Sequence, residues 1–367
     1  MYSIALANSL TGVRLADVTK AVQDLRWTTR ANAAGTSRTT LQLRTTDILN
    51  RPEWRSFTDL WSRALTVSWD DTLVTAGLVG SREFADSAGT LALSMVELEA
   101  MLKWRMITGV SWYDAAGKLT VTGKSKRGLI RALVQAGLNR GDSSFFWNFN
   151  VDLGADYSGG HSRTWHHYSL QTVDALINEV RDSDAGPDVH LEPEWRGGVL
   201  WWVLRTGSPR LSGATFEFNQ SAPDSPVINP RLIEDGAKMT TGTFAIGNGQ
   251  DEAMIVGLGD PADSSLGLTV STPYRDQTIT HKHVEEQAVA DSLALADVEA
   301  HFYPTRLKRF SLRITDYANP GNLRLGSRVR VWNDANEFEN EGWFDGYLIG
   351  LSGTLSSDVM DVEVMPL

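Results

Sequence analysis

The 367-residue chain predicts a mainly β fold with an α+β portion, in which two β-barrel-like domains flank a mixed α/β domain. Three observations carry this. Apolar and polar residues alternate in short, closely spaced runs through the first third, a spacing that suggests a barrel or sandwich. Apolar residues at helical spacing cluster in the middle third. Alternation returns in the last third, broken by a single helical stretch. The predicted domains are 1–122, an N-terminal β-barrel-like domain; 123–212, an α+β domain with a hairpin; and 213–367, a C-terminal β-barrel-like domain with one helix. At roughly 100–200 residues per domain, the length accommodates all three.

Taken in order, Leu41 and Leu43 share one face of a strand over 39–45. Leu65, Val67 and Trp69 alternate with Thr66 and Ser68, Asp70-Asp71 makes a turn, and 73–80 returns as the hairpin partner. Leu91, Leu93 and Met95 alternate again, and 96–105 reads equally as a final strand or a short helix. Ser125 caps a helix whose apolar face is Leu129, Ile130, Leu133 and Val134, ending near Gly137 or Gly141. Thr172 caps a second helix with Val173, Leu176, Ile177 and Val180 at i, i+3, i+4 and i+7. Between them, 154–168 is rich in Gly, His and aromatics and reads as a loop. Val189, Leu191 and Trp195 alternate with His190, Glu192 and Glu194, Gly197-Gly198 turns, and 199–204 returns. That return strand is apolar on both faces, which predicts a central strand or a Trp side set against another surface.

The stretch 207–230 is rich in Pro, Ser and Gly and reads as a loop or domain junction. A hairpin is predicted over 244–258 around Gly247-Asn248-Gly249, and Leu268 with Val270 marks another strand. Thr280 is placed to cap a helix with Val284, Ala288, Leu295, Val298 and Phe302 inward, stopped by Pro304. Strands follow at Phe310, Leu312 and Ile314, at Val329 and Val331, at Tyr347, Ile349 and Leu351, and at Val362 and Val364. There is no short-period repeat of solenoid type.

Composition narrows the function. Lys plus Arg number 34 against 45 Asp plus Glu, a net charge of −11, which argues against gripping DNA or an anionic membrane through bulk charge. Hydrophobic residues at 42% and charged residues at 22% suit a globular chain rather than a disordered one. Without cysteine there is no disulfide scaffold, thiol catalysis or cysteine-ligated zinc. The first residues carry no basic segment and only a four-residue apolar stretch, unlike a secretory signal. The longest apolar run, 199–204, is far short of the roughly 20 residues of a membrane-spanning helix, so a soluble protein is expected. Thirteen tryptophans are scattered along the chain. Core packing is their plainer reading, and interfaces or sugar-binding faces the functional one.

No catalytic constellation emerges, and no cofactor or metal site is predicted. Strand 119–122 followed by Gly123-Lys124-Ser125 has the order of a phosphate loop, but Lys118 stands where the pattern needs glycine, so a plain strand–turn–helix is expected. Gly257-Leu258-Gly259 runs into Asp260-Pro261 and reads as a turn, and Gly350-Leu351-Ser352-Gly353 meets Thr354 where a nucleophile elbow needs glycine. His281-Lys282-His283 ahead of Glu285-Glu286 reads as a solvated helix start. Lys124, Lys126 and Arg127 read as a solvated turn. His161, His166 and His167 flank Trp165 in a possible glycan-binding or partner-binding loop. Carboxylate pairs are plentiful: Asp70-Asp71, Glu97 with Glu99, and Glu192 with Glu194. Alternation alone selects none of them, and Glu192 with Glu194 on one strand face reads as a solvent face. These features favour a structural or binding protein over an enzyme.

Three segments resemble a known family. One is the helix from Thr172 leading into Asp188-Val189-His190-Leu191-Glu192 and Val199-Leu200-Trp201-Trp202. Another is Phe244-Ala245-Ile246-Gly247-Asn248-Gly249 with Met254-Ile255-Val256-Gly257-Leu258-Gly259. The third is the helix from Val284, then Arg309-Phe310-Ser311-Leu312-Arg313-Ile314 and Leu323-Arg324-Leu325-Gly326-Ser327-Arg328-Val329-Arg330-Val331. Their order resembles the minor tail or tail-hub proteins of long-tailed phages that infect actinobacteria, similar in fold to the baseplate hubs of contractile tails. The resemblance covers roughly 125–367. Ser327 stands where the family phrase Leu-Gly-Asp-x-Val carries aspartate.

The resemblance implies a structural virion protein, made in the host cytoplasm and placed at the tail tip. It implies a homotrimeric hub linking the sixfold tail tube or distal tail ring to threefold tip proteins, closing the channel before DNA ejection. The implied partners are the distal tail protein, the tape measure protein and a tail-tip fibre or minor tail proteins. DNA would pass the lumen without specific binding. Interface roles are expected at Trp195, Trp201, Trp202, Trp332 and Trp343. The competing readings are a host cell-wall carbohydrate-binding protein and a tail-associated enzyme that degrades the cell wall.

Overall fold

Alternating apolar residues fold the first stretch into antiparallel strands: β1 (Tyr2–Asn8), β2 (Arg14–Asp17), β3 (Val22–Arg30), β4 (Thr36–Gln42), β5 (Arg63–Trp69), β6 (Thr72–Ala85) and β7 (Thr90–Glu97), with the short helix α1 (Glu53–Phe57) before β5. The computed structural model describes residues 1–44, 53–108, 113–138, 148–183, 185–260, 273–281 and 284–367. Asp70 and Asp71, both at positive φ, make the two-residue turn between β5 and β6. The ambiguous stretch 96–105 resolves into the end of β7 and a 3-10 helix over Leu98–Lys103.

A mixed layer follows: β8 (Lys118–Lys124), α2 (Lys126–Leu138), β9 (Val151–Asp152), β10 (His161–His166), α3 (Val173–Arg181), β11 (Val189–Arg196) and β12 (Val199–Thr206). Ser125 Oγ accepts from Gly128 N at 3.3 Å and Thr172 Oγ1 from Ala175 N at 3.2 Å, so both expected caps form. Gly197 and Gly198 at positive φ turn β11 into β12. The stretch read as a loop, 154–168, instead contains β10, which pairs antiparallel with β8. Glycine-rich composition concealed it, because β10 buries little beyond Trp165.

The rest of the chain supplies β13 (Thr215–Asn219), β14 (Val227–Asp235), β15 (Gly242–Ile246), β16 (Val256–Gly259), β17 (Asp276–Thr280), α4 (Gln287–His301), β18 (Thr305–Arg313), β19 (Arg328–Asn333), β20 (Gly342–Thr354) and β21 (Val359–Pro366). The stretch 207–230, read as a loop or domain junction, holds β13 and the start of β14, and it ends at Pro230, immediately before the second compact unit begins. Thr280 ends β17 rather than capping a helix; α4 begins after Glu286. The strand expected at Leu268 and Val270, and Lys282 with His283, lie outside the described residues.

The chain divides into two compact units, Met1–Pro230 with Arg309–Leu367, and Arg231–Lys308. One strand order runs β14-β18-β21-β20-β3-β4-β7-β6-β5-β1-β2, with β19 bonded to β20 and β13 to β19. The class is therefore mainly β with an α+β portion. Among the described residues the strands of the two barrel-like stretches meet in one open order, joined where β3 pairs with β20. In the first unit, one core draws Leu25, Trp27, Leu65, Leu93 and Met95 from early strands and Val329, Leu348 and Val364 from late ones. A second core packs α2, α3 and β12 onto Ala7, Ala64, Ala76 and Leu78 of β1, β5 and β6. Small residues on that sheet face let the helical layer approach, so β5 is buried on both faces. In the second unit, β15 pairs antiparallel with β16 and parallel with β17. The hairpin expected over 244–258 forms as β15 and β16, and Gly257-Leu258-Gly259, also read as running into a turn, lies in β16: a Cβ at Gly257 would meet the Ala290 carbonyl carbon at 2.0 Å, and one at Gly259 the Ala294 oxygen at 2.3 Å. Only glycine lets α4 lie this close to the strand backbone.

Candidate functional site

Strands β13, β19 and β20 turn alternate residues outward, and these build one face from the sequence up. Phe216, Phe218, Val329 and Val331 point into the core. The intervening positions carry charge and tryptophan: Glu217 on β13, Arg328, Arg330 and Trp332 on β19, and Trp343 and Asp345 on β20. Register places Trp332 opposite Trp343 and Arg330 opposite Asp345, with Glu217 beside Arg330. The two indole rings meet edge to face, 5.5 Å between centroids. The Arg330 guanidinium lies over the Trp343 ring at 4.7 Å, pairs with Glu217 and stands 3.3 Å from Asp345. Arg328 grips Asp345 with Nε at 2.7 Å. The Arg328 hydrogen bonds, with Arg330 beside them, hold the Asp345 carboxyl below the usual carboxylate range.

Within this ladder Trp343 remains 45% exposed. Tryptophan and arginine are among the residue types enriched at protein interfaces. Phe338, in the connection from β19 to β20, is also exposed. The face offers no nucleophile and base in hydrogen-bonding reach of each other.

The remaining candidates separate. Trp202 is fully buried and packs edge-on against Phe149 at 6.1 Å. Trp201, its neighbour on the opposite strand face, is half-buried with the Arg196 guanidinium 5.4 Å from its ring. Arg196 is itself held at 2.7 Å by both Asp152 and Glu194. Trp195 is half-buried against the second core, with Arg14 6.0 Å from its ring. On β10, Trp165 points into that same core. His161 and His166 are exposed, and His166 stacks on Tyr168 at 4.9 Å. His167 is buried, its Nδ1 3.2 Å from the Asp114 carbonyl oxygen. The three histidines therefore do not converge, and the Trp165 ring faces the core rather than solvent.

A further aromatic pair was not read from the sequence: Trp61 and Trp104, both exposed, meet edge to face at 4.9 Å. Nothing in local periodicity marks them, since the fold alone brings their loops together.

No protein-family model matches the chain, and no curated protein matches its sequence. Among solved structures, it is similar to the 43 kDa tail protein of prophage MuSo2 from Shewanella oneidensis, at 12% identity and a TM-score of 0.60, over 99% of this chain and 98% of that one. It is similar to a tail protein from Neisseria meningitidis at 15% identity and a TM-score of 0.57, over 99% and 96%. A prophage tail protein from Listeria monocytogenes matches at 11% identity and a TM-score of 0.50, over 99% and 94%. The chain shares the fold of these phage tail proteins, each match covering 99% of it.

Proposed function

We propose that this chain is a non-enzymatic structural protein of a long-tailed phage, assembling as a trimeric hub at the tail tip. The hub joins the sixfold tail tube or distal tail ring to threefold tip proteins and closes the channel until DNA is ejected. One observation carries the reading: three phage tail proteins match the chain end to end, each over at least 94% of its own length. Its contacts are with two more copies of itself, a distal tail protein, a tape measure protein and a fibre or minor tail protein. Ring closure requires a heterologous contact that repeats until it closes, and the Trp343 face supplies a rigid aromatic anchor for one. The net charge of −11 suits a lumen that DNA crosses without sticking.

The test is native mass by light scattering across a range of protein concentrations. Three copies of a 40.4 kDa chain give about 121 kDa, and imaging of that species is expected to show a threefold ring. A stable dimer closed by a twofold contact overturns the trimeric hub. Purified protein that binds host cell walls, or that releases sugar or peptide from them, would favour the carbohydrate-binding or wall-degrading reading instead.

A further inference from the structure

Glu97 ends a strand whose buried face reads Leu91, Leu93, Met95 and then a carboxylate. Two positions on, in the 3-10 helix, Glu99 is also buried, and His190 arrives from the start of β11, 4% exposed. These three are the one group of carboxylate and imidazole donors among the described residues whose ligand atoms all lie within 4.8 Å of one another.

The donors are held from behind. Glu97 accepts from Gly35 N at 2.6 Å through Oε2 and from Thr75 Oγ1 at 2.8 Å through Oε1. Glu99 Oε1 accepts from Leu191 N at 2.6 Å, across 92 positions of sequence. Backing hydrogen bonds of this kind orient carboxylates that ligate metals. Two atoms are left over. Glu99 Oε2 is shielded from solvent and has no hydrogen-bond partner. His190 Nδ1 lies 3.0 Å from Glu99 Oε1 yet makes no aligned hydrogen bond. A buried carboxylate oxygen and an imidazole nitrogen are costly to leave unsatisfied.

We propose that Glu97, Glu99 and His190 form a buried site for one divalent transition-metal cation of the zinc class, tying the end of β7 and the 3-10 helix behind it to β11. One nitrogen and two carboxylates are a donor set that zinc accepts, whereas calcium needs six to eight oxygens. A dication balances two carboxylates and a neutral imidazole. Because the ligands come from sheet and hairpin, the cation would clamp the two layers of the first unit and act on stability rather than on chemistry.

The experiment uses the full chain expressed in zinc-supplemented medium and dialysed. Metal content and thermal midpoint are then measured before chelation, after chelation, and after adding back zinc or, as a control, magnesium. The expected result is close to one zinc per chain, a midpoint that falls on chelation, and recovery with zinc but not with magnesium. Glu99→Gln and His190→Gln are each expected to weaken zinc retention at least tenfold and to flatten the zinc response of the midpoint. The proposal is overturned if the wild-type chain retains no zinc and its midpoint ignores both chelator and zinc. It is equally overturned if zinc binds but both variants bind it as well as wild type. Should either variant fail to fold, the wild-type chelation and add-back arms decide alone.

Discussion

Trp343 and Trp202 show why a tryptophan's role is decided by its partners. Trp202 is enclosed by the second core, so Trp202→Ala removes a full aromatic volume and is expected to cost about 3–5 kcal/mol, read as a lower urea midpoint. Trp343 loses only its edge-to-face contact and its arginine cover, so Trp343→Ala should cost about 0.5–1.5 kcal/mol. If the face is the ring contact, the same change shifts native mass from trimer to monomer while the fold persists; an unchanged trimer would remove the face from the interface. Asp345 adds a pH signature. Its carboxyl is held below 3.8 in the folded chain, so the stability it contributes is present above that value and is lost as pH falls through its folded pKa. Asp345→Asn is expected to make acid unfolding less steep below pH 3.8, measured by tryptophan fluorescence. Trp332 and Trp343 are candidates through the family resemblance, since composition offers thirteen tryptophans and singles out none. Their pairing was not legible, because it depends on the register of two strands.

At the scale of elements, local signals with a short-range cause were readable. Thr172 capping α3 needs only four residues in a row, and Thr172→Ala should cost about 1 kcal/mol, seen as a lower thermal midpoint. The Gly257-Leu258-Gly259 segment misleads for the opposite reason. Its glycines serve contact with α4, whose Ala290 and Ala294 meet the strand from some thirty residues further along the chain. Gly257→Ala would force the helix off β16 and is expected to destabilise by about 1–3 kcal/mol. Hydrogen exchange should report the loss in β15, β16 and α4, with protection in the first unit unchanged; uniform loss across the chain would contradict the division into two units. The β10 strand was missed similarly, since its hydrogen-bonding partner β8 lies beyond α2 in sequence.

At the scale of the molecule, the pairing of β3 with β20 makes the two ends of the chain one structure. The first core takes Leu348, Leu351, Met360, Val362 and Val364 from the last two strands. Deleting 342–367 is therefore expected to abolish cooperative unfolding of the N-terminal strands as well, with Trp27 fluorescence shifting toward that of exposed indole. Retention of a sharp transition would mean that the early strands fold without the late ones. The same long-range closure explains why the carboxylate pairs looked alike in sequence. Glu97 with Glu99 became distinct from Asp70-Asp71 only when β11 delivered His190 beside it.

The sequence by itself determined the mainly β class, the two capped helices, the Asp70-Asp71 and Gly197-Gly198 turns and the absence of cysteine chemistry. Each depends on neighbours within a turn or a strand, where backbone sterics and period are enough. Only the tertiary structure decided which tryptophans are core and which are surface, which glycines admit a helix, and which acids meet a histidine. Those outcomes rest on strand order and register between segments far apart along the chain, and a period of two repeats identically whichever partner a strand finds.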